Sequence, residues 1–92
     1  MGIRWTASAS KHGVDREDAL NAILHQIYHV EQFDEPRVEP GMRPDLFIGP
    51  ARDGLRILEV MAVITPPNDL LIFHVMEARR KILDIAERET EK

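Results

Sequence analysis

Cysteine is absent from this chain of 92 residues, so neither a disulfide framework nor a thiolate metal site can make up for a small core, and packing must hold the fold. That suits a reducing compartment. Also missing is any apolar run near the ~20 residues that a membrane helix requires. The start Met1-Gly2-Ile3-Arg4-Trp5 lacks the charged and then apolar order of a secretory signal. The expectation is a cytoplasmic protein without a membrane anchor. An excess of positive charge is lacking too, with 12 Lys and Arg against 16 Asp and Glu and a formal net charge of -4. This argues against nucleic-acid binding through overall charge, because non-specific affinity comes mostly from neutralising phosphates. Any contact with nucleic acid has to be local. No Gly-rich phosphate loop, Ser-centred elbow or EF-hand pattern is present.

What the chain does have is 43% hydrophobic and 30% charged residues, enough for one core but not two, and so for a single domain spanning 1–92. Charge is unevenly placed. Residues 1–49 sum to -3, residues 50–81 to +1 and residues 82–92 to -2, so a site for an anionic ligand is expected in the middle-to-late stretch.

The periodicities predict an α+β fold: N-terminal helices, a three-stranded antiparallel β-meander and a C-terminal helix. Small residues between Trp5 and Lys11 suit one or two helical turns stopped by Gly13. Asp15 reads as the N-cap of an amphipathic helix over 16–30, with Glu17 and Asp18 in its first turn and Ala19, Leu20, Ile23, Leu24, Ile27 and Tyr28 on one face. Three prolines and a glycine make 31–45 a long surface loop. Strands are expected over 46–49, 55–65 and 70–75, and a last helix over 77–89 with Ala78, Ile82, Ile85 and Ala86 as its stripe.

Alternation sets Leu58, Val60, Ala62 and Ile64 on one face of the long strand and Ile57, Glu59, Met61 and Val63 on the other. In the third strand Leu71, Phe73 and Val75 share a face, with Ile72, His74 and Met76 opposite. A turn centred on Pro67-Asn68 pairs Thr65 with Leu70, which puts Met61 opposite His74 and Glu59 opposite Met76. Glu59 and His74 are then diagonal neighbours and a candidate general acid–base pair. The apolar companions of Glu59 imply that this face too is covered, by a helix or by a second copy in a homodimer.

Arg79, Arg80 and Lys81 fall in the first turn of the last helix, where cations are unfavourable unless something offsets them. A bound phosphate would do so, held by free backbone N–H groups and a guanidinium fork. Lys11 and His12 sit before Gly13, where cations also serve as a helix cap. His25 and His29 are spaced i, i+4, but the segment lacks the glutamate of H-E-x-x-H, so exposed histidines are the simpler reading and neither a metal nor a cofactor is implied.

Lys11-His12-Gly13-Val14 before the amphipathic helix, Phe47-Ile48-Gly49 before a glycine-bearing turn, the strand from Leu55 to Val60, and Ala78-Arg79-Arg80 after the last strand together resemble the BrnT family of bacterial type II toxins. The resemblance lies in order and spacing along almost the whole chain. It implies a fold related to the RelE-type ribonuclease toxins, RNA cleavage that arrests growth, and a partner antitoxin. Carried over by position, Lys11 or His12 and Arg79 match basic positions of the family pattern, and Arg52 or Arg56 would add phosphate contacts. Such cleavage uses no metal: His74, Glu59 or His12 would move protons while the arginines stabilise charge. The competing reading, from the low basicity and the apolar second face, is a non-catalytic protein-interaction module.

Overall fold

A computed structural model describes residues 2–31, 44–65 and 69–90. It contains β1 (Gly2–Trp5), a 3-10 turn (Ala7–Ser10), α1 (Arg16–Leu24), β2 (Tyr28–Val30), β3 (Asp45–Pro50), β4 (Ile57–Thr65), β5 (Asp69–Glu77) and α2 (Arg80–Thr90). The strands form one mixed sheet in the order β1-β5-β4-β3-β2, with β1 parallel to β5 and every other pairing antiparallel. The expected meander is its centre, β3-β4-β5, but the fold as a whole is not a three-stranded sheet preceded by helices.

Two strands account for the difference. β1 is only four residues long, and its partner is distant in sequence: Ile3 pairs with Leu70 and Trp5 with Ile72. β2 occupies what reads as the end of the amphipathic helix. α1 stops at Leu24, the cap residue His25 leaves helical geometry at φ -114, ψ 36, and the Ile27 N–H donates to the Ile48 carbonyl. Tyr28, His29 and Val30 then pair with Ile48, Phe47 and Leu46, a use that suits aromatic and β-branched side chains. The helical periodicity of Ile27 and Tyr28 loses to this pairing. The proline-rich segment over 32–43 and the turn at 66–68 lie outside the described residues.

Both sheet faces are covered. On one, Leu58, Val60, Ala62, Ile72 and Val75 pack with Phe47 beneath Ala19 and Ala22 of α1 and Ala9 of the 3-10 turn. On the other, Leu46, Ile48, Met61, Val63 and Phe73 pack against Ile82 and Ala86 of α2. Alternation therefore reads β4 correctly, and the cover over its second face is a helix of the same chain. The buried stripe of α1 is made of small residues, and Leu24 is 78% exposed. The reason is Gly49. A Cβ built there would overlap the Ala22 carbonyl oxygen, so helix and strand touch backbone to backbone at Ala22, while Leu20 and Ile23 pack only partly buried beside this contact.

The strand β5 carries a register shift. Thr65 pairs with Asp69, Ile64 with Leu70 and Ala62 with Ile72, but Met61 pairs with His74 and Glu59 with Met76. Phe73 is the extra residue of a β-bulge. It moves into the α2-side cluster, away from Val75 on the α1 side, which corrects the expected grouping of Leu71, Phe73 and Val75 on one face. The expected pairing of Thr65 with Leu70 is one residue off at the turn, while the expected pairings of Met61 and Glu59 are those observed.

Gly49→Ala should therefore destabilise the protein by about 3 kcal/mol or more, the upper range for overpacking, because the obstacle is backbone and cannot rotate away. Urea unfolding reads this as a lower midpoint with an unchanged slope. A midpoint within error of the native value would mean that α1 lies farther from β3.

Candidate functional site

The 3-10 turn after β1 is sewn to β5 at the bulge. The Thr6 N–H donates to the Ile72 carbonyl at 3.0 Å, and the Ser8 hydroxyl donates to the Phe73 carbonyl at 2.8 Å. A bulge disrupts the ladder locally, and Ser8 supplies a partner for the displaced carbonyl. Gly13, at φ 71, turns the chain out of this segment. The result is a cleft of about 600 Å³. Thr6, Ser8, Lys11 and His12 line it from the turn and its exit, Phe73, His74 and Met76 from β5, and Arg79 from the position just before α2, not within its first turn.

Beside the cleft lies a buried carboxylate. The Glu59 side chain is 0% exposed, and its Oε1 accepts from Arg79 Nε at 2.6 Å. His74 Nε2 lies 3.3 Å from the same oxygen. The bulge makes this possible: with the turn-end register continued, Glu59 would pair with Val75 and His74 would face α1. Glu59 Oε2 and Arg79 Nη2 are both buried without a hydrogen-bond partner among the described residues, so the pair is single-pronged rather than a fork. The His12 and His74 rings stand edge to face, with centroids 5.8 Å apart and planes at 73°.

The basic start of α2 is divided by this geometry. The Arg79 carbonyl accepts from the N–H groups of Ile82 and Leu83 at 3.0 Å each, while its side chain turns back to Glu59. Arg80 points outward and pairs with Asp84 at 3.1 Å across one helical turn. Lys81 is exposed. The anion that offsets Arg79 is thus the protein's own Glu59.

Arg52 and Arg56 lie elsewhere, in the turn between β3 and β4, where both are bound to the first turn of α1. Asp18 Oδ1 accepts from the Arg52 backbone N–H at 3.0 Å and from Arg52 Nε at 2.7 Å, and Oδ2 accepts from Arg56 Nη2 at 3.1 Å. Glu17 and Asp15 take the remaining Arg52 nitrogens. Hydrogen bonds from Arg52 hold the Asp18 carboxyl below its ordinary value of 3.8 and outweigh its desolvation. Asp18 raises the Arg52 guanidinium in turn. The Asp53 carboxyl is lowered by the Leu55 N–H it accepts.

Of the eight residues singled out in the sequence, Lys11, His12, His74 and Arg79 border one cleft, with Glu59 directly behind it. Arg52, Arg56 and Arg80 are engaged by acidic side chains outside it. Ser8 was not singled out, because only the bulge reveals what its hydroxyl serves. Asp18 reads in sequence as a first-turn carboxylate favoured by the helix dipole, and nothing local marks it as the buried hub of an ion network. His25 caps α1 and His29 belongs to β2, where its Nε2 lies 2.7 Å from Asp45 and its ring stacks on Phe47 at 4.4 Å. Among the described residues no group of three or more His, Cys, Asp or Glu is gathered as a metal would need.

Compared with family models, curated proteins and solved structures, the chain matches none.

The Asp18 cluster generates a test of how α1 is held. A carboxyl lowered in the folded state contributes stability that is fully present above its ordinary value and is lost as pH falls through the folded value. Asp18→Asn should melt below the native protein at pH 7, and the gap should close as pH falls below 3.8. Thermal melts from pH 7 to about pH 2 measure this; a constant gap would show that Asp18 acts through shape rather than charge.

Proposed function

We propose that this chain is a metal-independent endoribonuclease of the type II toxin kind. The observation that supports it best is the pair His12 and His74, 5.8 Å apart at a cleft that also holds Lys11 and Arg79. Two imidazoles at this separation suit the two proton transfers of RNA transesterification. One accepts the proton of a ribose 2′-OH as its oxygen attacks phosphorus. The other gives a proton to the departing 5′ oxygen, leaving a 2′,3′-cyclic phosphate and a 5′-hydroxyl. Lys11 and Arg79 stabilise the charge that builds on the phosphoryl oxygens.

The acidic net charge fits a local mode of binding. Arg52, Arg56 and Arg80 are already engaged by carboxylates, whereas no ion pair holds Lys11 among the described residues. The interaction-module reading rests on the low basicity and on an apolar second face; α2 covers that face, which removes the second support and favours the ribonuclease reading. An antitoxin partner belongs to this proposal as a protein that would occlude the cleft.

Purified protein incubated with single-stranded RNA and a chelator should give cyclic phosphate ends. His12→Ala and His74→Ala should each lower kcat/KM by about 10²–10⁴-fold, the usual contribution of one acid or base, while Arg88→Ala on the far turn of α2 should leave it unchanged. Induction in a bacterium should arrest growth. Intact RNA in the presence of folded protein, together with normal growth on induction, would rule the proposal out.

A further inference from the structure

Glu59 is too deeply buried to meet a substrate, yet it touches both a cation and an imidazole of the cleft. Its side chain is 0% exposed, and it does not border the cleft. A guanidinium is always charged and only donates, so the oxygen 2.6 Å from Arg79 Nε is an accepting carboxylate oxygen. That same oxygen lies 3.3 Å from His74 Nε2. A carboxylate has no proton to offer, so the hydrogen bond forms only when Nε2 carries the proton. In a neutral imidazole this leaves Nδ1 as the sole acceptor.

We infer that Glu59 is a positioning residue: it fixes His74 as the Nε2–H tautomer and makes Nδ1 the basic atom of this ring at the cleft. Three features combine to this end. The bulge sets His74 on the face of Glu59, pairing of Glu59 with Met76 brings its carboxylate diagonally beneath the ring, and Arg79 Nε holds that carboxylate in place. Packing around His74, only 12% exposed, resists a ring flip that would exchange the two nitrogens. The inference rests on the ribonuclease reading only for the source of the proton. In RNA cleavage Nδ1 would take the 2′-OH proton as the bond from that oxygen to phosphorus forms. His12 would then protonate the 5′ oxygen as its bond to phosphorus breaks.

The tautomer is read directly by long-range proton–nitrogen NMR on the labelled full chain at about pH 8, where an ordinary imidazole is neutral. His74 should show a protonated Nε2 and a bare Nδ1, with the Nε2 proton protected from exchange with water. The partner measurement uses Glu59→Leu/Arg79→Met, which replaces the buried pair with apolar groups of similar size, a change that folds commonly tolerate. There the Nε2 proton should exchange at least tenfold faster while the His12 signals keep their native positions. A protonated Nδ1 on native His74 would overturn the inference, as would unchanged Nε2 protection in the folded double variant. If the double variant does not melt cooperatively, the native tautomer decides alone. A native chain that shows the Nε2–H tautomer but cuts no RNA and allows normal growth on induction would leave this assignment standing and remove the ribonuclease reading.

Discussion

The single extra residue in β5 is the constraint on which the rest of the arrangement depends. At the turn end of the β4–β5 hairpin, Thr65 pairs with Asp69; past Phe73 the strands have slipped by one. A slip of one residue exchanges the faces of every side chain beyond it, so the bulge decides which residues of β5 meet α2 and which meet α1. It sends Val75 to the α1 side and sets His74 beside Glu59. It also exposes a displaced carbonyl, and the Ser8 hydroxyl binds that carbonyl, drawing the 3-10 turn with Lys11 and His12 alongside His74. One local irregularity thus brings together groups from both ends of the chain.

Among the described residues, Asp18 and Glu59 are buried carboxylates paired with arginine, and they serve different ends. Asp18 accepts from two backbone and side-chain donors of Arg52 and from Arg56, so both of its oxygens are satisfied and the strand turn is tied to the helix start. Glu59 is less well served: two donors crowd Oε1 while Oε2 finds none among the described residues. A buried ion pair is weak as a source of stability, since desolvation offsets much of the attraction. An incompletely satisfied one is weaker still. Such arrangements persist where they position something, and the sites where local rules are broken are commonly the functional ones.

Much of this was readable from periodicity, and the failures share a cause. Strict alternation in Ile57 to Ile64 assigns both faces of β4, and the pairing of Glu59 with Met76 and of Met61 with His74 agrees with the observed register. The agreement has a twofold origin, because the expected turn is offset by one residue and the bulge restores it. β1 escaped because four residues carry no period and their partner lies some 67 positions away. β2 escaped because Ile27 and Tyr28 continue a helical spacing that the contact of Gly49 with Ala22 and the pull of β3 override. Arg52 reads as a free cation in sequence, since its carboxylate partners are marked only by the fold, whereas Arg80 has its partner Asp84 four residues on along the same helix.

Those consumed cations bear on how an acidic protein could hold the anion site that the proposed ribonuclease reading requires. Placing positive charge in excess everywhere would favour phosphate without selectivity. Here the acids are set against particular arginines: Asp15, Glu17 and Asp18 against Arg52, Asp53 and Asp18 against Arg56, Asp84 against Arg80. Apart from the buried Asp18, these acids are exposed on the turn or helix, and their pairs are screened by water and salt. Arg79 differs in that its guanidinium borders the cleft, with its partner Glu59 buried behind it. The electrostatic contrast between cleft and surface therefore comes less from adding cations at the site than from cancelling them elsewhere, and a net charge of -4 is compatible with a locally anion-attracting groove.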